Sequence, residues 1–164
     1  MRVTERNAKA MTIRPIGSFM LAVFMFLYGY SAMAADNGLI TRPSKYSVGT
    51  TIDRLENALK AAGNTIFARV DHSAEADKVG LKLRPAQLLI WGNPKGGTPM
   101  MVAAPTAAID LPLKFLSWED ADGKTWLTYN SLDYLEQRHA IGGMDEALHT
   151  LQTRVDAIAD KARE

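Results

Sequence analysis

The sequence contains no cysteine and only three histidines among its 164 residues. The absence of cysteine excludes disulfides, a thiolate nucleophile, iron–sulfur clusters and cysteine-ligated zinc. An excess of one charge is also lacking, because 19 basic and 18 acidic side chains leave a formal net charge of +1 without any local basic run. A nucleic-acid-binding surface requires a basic patch or stripe. We therefore expect no nucleic-acid partner, no bound metal and no cofactor.

Long apolar runs are scarce, and the one that stands out covers residues 16–30. It follows a basic start and precedes small residues ending at Ala34, which is the three-part layout of a secretory signal peptide. The run is shorter than the roughly 20 residues of a membrane-spanning helix, and a retained membrane anchor is the alternative. We predict a signal peptide over 1–34 and a periplasmic or secreted mature protein without further membrane contact. Met1 and Met11 are both candidate start residues.

Residues 35–44 are polar and contain glycine and proline, which predicts a linker. Residues 45–164 then supply enough apolar sequence for a single domain. A short strand is predicted over 45–50. The amphipathic helix that follows is expected to begin with Thr50 and Asp53 as a capping pair.

Apolar spacing arranges the remaining chain in the order β-α-β-α-β-α-β-β-α-α. Helices are too few, and one hairpin is too prominent, for a doubly wound parallel sheet. The pattern favours an α+β two-layer sandwich with a mostly antiparallel sheet and helices on one face.

The prominent hairpin turns at Asp122-Gly123, a dipeptide typical of tight hairpin turns. Its strands alternate, and we expect Leu116 and Trp118 to share the sheet face that packs on the helices. Aromatic side chains on the two strands should pair across the hairpin.

The stretch GNPKGGTP, residues 92–99, joins an apolar strand to a helix and allows two interpretations. Backbone amides of Gly96 and Gly97 at a helix start, assisted by Lys95, are suited to binding an anion. Alternatively the stretch is only a turn in which Thr98 caps a helix that the following proline begins. It is not a P-loop, because the lysine precedes the glycines.

A second polar stretch, DHSAEAD at residues 71–77, lies between a strand and a short helix. His72 is a candidate general acid or base there, with Asp71 or Asp110 as the orienting carboxylate. A hydrogen bond at the helix start is the alternative role. His139 is expected at the surface.

Several blocks occurring in order, FARVDHSAEA, LLIWGNPKGGTPMM, AIDLPLKFLSWEDADGKTWLTYN and YLEQRHAI, resemble one family. This is domain of unknown function 302, also called TT-1751-like, and the resemblance covers roughly residues 46–162. It implies a fold similar to half of the TATA-binding protein, a curved antiparallel sheet backed by helices, and pairing into homodimers. It implies no activity. Positions that match the family pattern are Asp71, His72, Ala76, Gly92, Asn93, Pro94, Gly97, Thr98, Pro99, Asp110, Leu111, Pro112, Asp122, Gly123 and Tyr129.

The stretches at 71–77 and 92–99 both follow strands. If those strands are parallel neighbours, His72, Asn93 and Asp110 come together at one sheet edge in a small polar cleft.

Two functions follow from such a cleft. The first is an exported binding or interaction module for a small anionic or polar ligand, held by Asn93, Lys95, Gly96, Gly97 and Thr98. The alternative is an enzyme that uses His72 as general acid or base and the 92–99 loop as an anion or oxyanion site. A purely structural envelope protein is a third interpretation.

Overall fold

A computed structural model describes residues 37–164, so the predicted signal peptide lies outside the described residues. One antiparallel sheet contains five strands in the spatial order β1-β5-β4-β3-β2. The strands are Leu39–Pro43 (β1), Thr65–Asp71 (β2), Ala86–Gly92 (β3), Leu113–Glu119 (β4) and Thr125–Asn130 (β5). The helices are Val48–Ala61 (α1), His72–Lys78 (α2), Pro94–Ala103 (α3), Leu132–His139 (α4) and Asp145–Arg163 (α5), with a 3₁₀ helix at Pro105–Ile109. The predicted α+β class is confirmed.

Helix α1 begins earlier than its sequence pattern predicts. Ser47 is its N-cap, and the Ser47 side chain accepts the backbone N–H of Thr50. The predicted strand over 45–50 and the Thr50–Asp53 capping pair are therefore wrong, because a serine three residues upstream satisfies the same helix start. Its apolar positions Ile52, Leu55 and Leu59 are fully buried, as their spacing predicts.

The predicted linker over 35–44 contains strand β1. Ile40 pairs with Tyr129 and Thr41 pairs with Thr128 in antiparallel register with β5. Strand β1 is an edge strand, where a proline is tolerated because one side of the strand needs no ladder partner. The Gly and Pro residues around it thus bound a short edge strand rather than a flexible connection.

The face of β4 that packs on the helices is the opposite of the one predicted. Phe115 and Ser117 on β4 are fully buried, whereas Leu116 and Trp118 are half-buried on the opposite face. Alternation in a strand fixes this relation, and the sequence pattern leaves open which set faces the helices. Cross-strand aromatic pairing is confirmed, since Trp118 stacks on Trp126 with ring centroids 6.3 Å apart.

The long apolar stripe of α5 packs against α1, and its members Leu148, Val155 and Ala162 are buried. Phe115 forms the centre of the core beneath these helices, stacked on Trp91 and edge-on to Tyr129. Within residues 37–164, no helix combines the length and the apolar character that crossing a membrane requires.

Candidate functional site

The stretch 92–99 begins a helix five residues earlier than predicted. Asn93 has an extended backbone, and its side-chain oxygen accepts the N–H of Lys95 at 3.0 Å, so it is the N-cap of α3. Pro94 is the first helical residue, the position at which a missing N–H costs least. Thr98 lies inside the helix and is exposed, so its predicted capping role is wrong. The stretch contains two residues that can cap a helix, Asn93 and Thr98, and a proline follows each of them. The helix begins after the first.

The amides of this helix start are already used. Lys95 donates to the Asn93 side chain, and Gly96 and Gly97 donate to the Asn93 carbonyl at 3.0 and 2.9 Å. An anion site at a helix N-terminus depends on N–H groups without an internal partner. The geometry therefore favours the turn over the anion cradle. Lys95 is exposed, and its side chain does not line the neighbouring cavity.

A cavity of about 220 Å³ lies beside this helix start. Four other parts of the fold complete its wall: the start of β2, the end of β3, residues 111–113 and helix α5. Apolar side chains form most of the lining, among them Phe67, Trp91, Met100, Met101, Leu111 and Pro112. Asn64, Asn93 and Thr98 contribute polar atoms, and none of the lining residues is charged. Such a cavity suits an uncharged, mainly apolar molecule.

Three glycines line the wall, and at two of them an added Cβ would meet other residues of the wall. A Cβ added at Gly92 would lie 3.4 Å from Pro112 Cβ and 3.5 Å from a ring carbon of Phe67. An added Cβ at this position would therefore make ordinary van der Waals contact with both residues. A Cβ added at Gly97 would meet only Leu111, at 3.8 Å, so a larger side chain at position 97 would extend toward that wall.

The predicted meeting of His72 with Asn93 does not occur. Strands β2 and β3 are neighbours but antiparallel, so Asp71 pairs with Gln87 and Thr65 pairs with Gly92. His72 and Asn93 consequently lie at opposite ends of the strand pair, about 20 Å apart. The acid–base site that combined His72 with the 92–99 loop is contradicted by this register.

Asp71 is a helix cap. Its carboxylate accepts from Ser73 Oγ at 2.6 Å, from Ala74 N at 2.9 Å and from Gln87 Nε2 at 2.8 Å. These hydrogen bonds, that of Ser73 first, hold the pKa of Asp71 below its usual value. His72 follows as an exposed first residue of α2.

Asp110 binds a different histidine from the one predicted. His139 Nε2 lies 2.6 Å from Asp110 Oδ2, and His139 Nδ1 lies 3.1 Å from Thr106 Oγ1. Arg138 Nε is 3.3 Å from the same carboxylate oxygen. The side chain of His139 is only 5% exposed, so its expected surface position is wrong. This network ties the end of α4 to the 3₁₀ helix that precedes the cavity wall.

Within residues 37–164, no group of three metal-ligating side chains lies close enough to hold a metal ion. Four of the residues that the sequence indicates as ligand-binding, Asn93, Gly96, Gly97 and Thr98, line the cavity, whereas its apolar wall is not predicted. Trp91, at the end of a continuous apolar strand, and Leu111-Pro112 just after Asp110 were the available signals.

Two curated relatives in Brucella are similar to most of this chain. A Brucella suis protein named Fluoride-specific ion channel FluC 1 is 42% identical over 139 residues, which cover 83% of this chain and 55% of that protein. The Brucella abortus protein of the same name is also 42% identical, over 83% of this chain and 52% of its own length. This chain thus spans about half the length of these relatives.

A solved structure supports the fold. The crystal structure of an uncharacterized conserved DUF302 protein from Bacillus stearothermophilus matches with a TM-score of 0.69 at 20% identity. It covers 77% of this chain and 99% of that one. The family described as "Domain of unknown function DUF302" matches residues 40–159, and the chain belongs to this family.

Proposed function

We propose that this domain is an exported binding module that holds a small, uncharged and mainly apolar molecule. The observation that carries the proposal is the 220 Å³ cavity, whose wall is apolar and lacks charged side chains. Trp91 and Met100 at its inner side are 3% and 1% exposed. Side chains this well packed give the cavity a defined shape.

The cavity volume limits the size of the ligand. An apolar cavity of about 150 Å³ in another protein accommodates benzene, whereas drug-sized ligands occupy about 300–1,000 Å³. The present cavity lies between these scales. A molecule of one or two rings, or a short branched chain, fits this range.

An anionic ligand is disfavoured for two reasons. The amides of Lys95, Gly96 and Gly97 are already bonded to Asn93. Moving a charge from water into an apolar site without a paired charge is costly. The cavity therefore suits a neutral, mainly apolar ligand better than the small anionic or polar ligand that the sequence indicates.

Titration of the protein with tetralin, a neutral bicyclic hydrocarbon, tests this function. Binding is followed by amide chemical shifts in two-dimensional NMR. We expect saturable binding, with shifts concentrated at residues that line the cavity. Gly97→Leu should weaken tetralin binding at least tenfold, because its side chain extends toward Leu111.

Lys95→Leu is the matched control, since it adds the same side chain to the same helical turn outside the cavity. It should leave the affinity unchanged. Equal weakening by both variants, or shifts that do not saturate, would refute a binding role for the cavity.

The relatives support a second candidate function. The matched segment makes up about half of proteins named fluoride-specific ion channels. We therefore infer that this chain associates with a fluoride channel and contributes to fluoride tolerance. Direct capture of fluoride is not expected, for the reasons that disfavour other anions. The partner would be the channel itself.

Deletion of the gene tests this association. Growth of the deletion strain should become more sensitive to fluoride, and the tagged chain should retain a fluoride channel during purification in mild detergent. Unchanged fluoride tolerance together with purification free of any channel would contradict it.

We also propose that the chain is exported and that it forms a homodimer. The layout of residues 1–34 supports cleavage after Ala34 and a periplasmic or secreted location. N-terminal sequencing should then begin at Ala35. A chain that begins at Met1 or Met11 would refute cleavage. The family resemblance supports a homodimer, which sedimentation equilibrium would detect as a doubled mass.

A further inference from the structure

We propose that the open face of the sheet is the interface between two copies of this chain, which pack face to face with Leu116 at the centre. The open face consists of the apolar strand side chains that point away from the helices: Val70, Leu88, Ile90, Leu116, Trp118 and Trp126. This inference rests on the proposed homodimer and specifies the surface through which the homodimer forms.

Strand register places these six side chains on one surface. Leu88 pairs with Val70 on one side and with Leu116 on the other. Trp118 pairs with Trp126 in the next row, and directly paired residues share one face of an antiparallel sheet. The six side chains are half-buried, and none of them belongs to the core that joins the helices to the sheet. Within residues 37–164, the open face is therefore an apolar surface outside the core.

The polar groups of this surface are already bonded within the chain. Trp118 Nε1 donates to Thr128 Oγ1 at 2.9 Å, and Thr128 Oγ1 also lies 3.0 Å from Thr41 Oγ1. Trp126 Nε1 donates to Asp120 Oδ2 at 2.7 Å. Burial is costly for a polar group that loses its hydrogen bonds, and far less so for one that keeps them. The open face can therefore leave water without unpairing these donors.

Charge is almost absent from the open face. Among the strand residues of 37–164, the charged side chain that register places there is Lys114, near the start of β4. Its Nζ donates to the carbonyl oxygens of Asp110 at 2.8 Å and Pro112 at 3.0 Å, which holds it at the end of the sheet. The centre of the face has no charge with which to recognise an ionic partner. An identical apolar face is complementary to it, and homodimer interfaces are more apolar than transient ones.

The area of the open face is sufficient for a dimer. Five strands about 4.8 Å apart, each up to seven residues long at about 3.3 Å per residue, cover roughly 500 Å². Two such faces bury roughly 1,000 Å² of flat area, the size at which specific interfaces begin. The uneven surface of the side chains adds to this area.

Symmetry puts Leu116 at the centre of the interface. Strand β4 is the middle strand of the five, and Leu116 is the middle residue of Leu113–Glu119. In a two-fold dimer the same patch meets itself, so a residue beside the axis meets its own counterpart. Sheets packed face to face lie about 10 Å apart, with their side chains interdigitated. Leu116 is consequently expected to contact the partner's Leu116.

Isotope-filtered NOE spectroscopy tests this interface in the parent protein. In an equal mixture of ¹³C-labelled and unlabelled protein, the filter retains only contacts between different copies. We expect signals that join the Leu116 methyl groups to methyl or indole protons of the partner's open face. Signals between copies that involve only other surfaces would overturn the proposed interface.

Leu116→Lys provides a second test, by sedimentation equilibrium. The variant places two like charges at the centre of the interface, and the dimer dissociation constant should rise about a hundredfold or more. Val102→Lys is the matched control, because Val102 is 78% exposed on α3, away from the open face. It should leave the dissociation constant unchanged. Far-UV circular dichroism checks that both variants are folded, and the NOE experiment does not depend on either.

The outcomes distinguish this interface from the homodimer itself. If the parent protein has a doubled mass but folded Leu116→Lys dimerises as tightly, the interface is overturned and the homodimer stands. If the parent protein sediments as a monomer, the homodimer fails and the interface fails with it.

Discussion

Asn93 Oδ1 accepts the backbone N–H of Lys95 at 3.0 Å, and this bond closes the start of helix α3. The amides that would bind an anion are thereby occupied within the protein. The same turn places Gly97 and Thr98 at the wall of an apolar cavity. The glycine-rich stretch is therefore a helix start that forms part of a cavity wall.

The capping assignment predicts unequal effects for the two candidate caps. Asn93→Ala should lower the free energy of unfolding by roughly 0.5–2 kcal/mol, because it removes the N-cap acceptor. Thr98→Ala should change it by less than about 0.5 kcal/mol, as for other exposed substitutions. Urea denaturation without added ligand measures both. A larger loss for Thr98→Ala would show that the helix begins at Pro99.

The two sheet faces differ in how much they stabilise the domain. Phe115→Ala should cost roughly 3–5 kcal/mol, because this fully buried ring packs against both Trp91 and Tyr129. Leu116→Ala should cost clearly less, since Leu116 is half-buried on the opposite face. Chemical denaturation of the two variants is the measurement. Equal losses would contradict the face assignment.

The Asp110–His139 contact should be structural. His139→Ala leaves a carboxylate that is only 16% exposed with Arg138 as its remaining cationic partner, and we expect a loss of roughly 1–3 kcal/mol in unfolding free energy. His72→Ala is the matched control, because His72 is exposed, and it should be nearly neutral. Comparable losses of unfolding free energy in the two variants would contradict a stabilising role for the Asp110–His139 contact.

The Asp71 cap predicts that the free energy of unfolding depends on pH. Asp71→Ala should cost roughly 0.5–2 kcal/mol at neutral pH, where the ionised carboxylate caps α2. Hydrogen bonds lower its folded pKa, so its stabilising contribution is complete above the unfolded pKa of about 3.9 and is lost as pH falls through the lower folded pKa.

The stability difference between the parent and Asp71→Ala should consequently narrow below about pH 4. Asp77→Ala, on the same helix with an exposed ion pair to Lys82, serves as the control and should change stability little. A difference that stays constant down to pH 2 would show that Asp71 does not act through its charge.

The sequence predicted the architecture well because long elements have clear periodicities. The buried positions Ile52, Leu55 and Leu59 of α1 follow helical spacing, and the Asp122-Gly123 hairpin carries a specific turn signal. Local ambiguity explains most of the errors. Two cap-proline pairs compete in the 92–99 stretch, and alternation in β4 does not say whether Phe115 or Leu116 faces the helices.

The candidate site was predictable only in part. The cavity borders Asn93, Gly96, Gly97 and Thr98, which the sequence indicates as binding residues, yet much of its apolar wall comes from Phe67, Leu111 and Leu151, which are distant in the chain. The pairing of Asp110 with His139 depends on how α4 packs against the 3₁₀ helix. Neither spacing nor composition encodes such contacts, which exist only after folding.

The binding of a neutral apolar molecule in the cavity is tested most directly by the free energy of unfolding in the presence of ligand. A ligand that binds only the folded state at one hundred times its Kd stabilises that state by about 2.7 kcal/mol. We predict a stabilisation of that order by tetralin for the parent protein and about half of it or less for Gly97→Leu at the same tetralin concentration, with no effect of inorganic phosphate at matched ionic strength. Stabilisation by phosphate but not by tetralin would contradict the account.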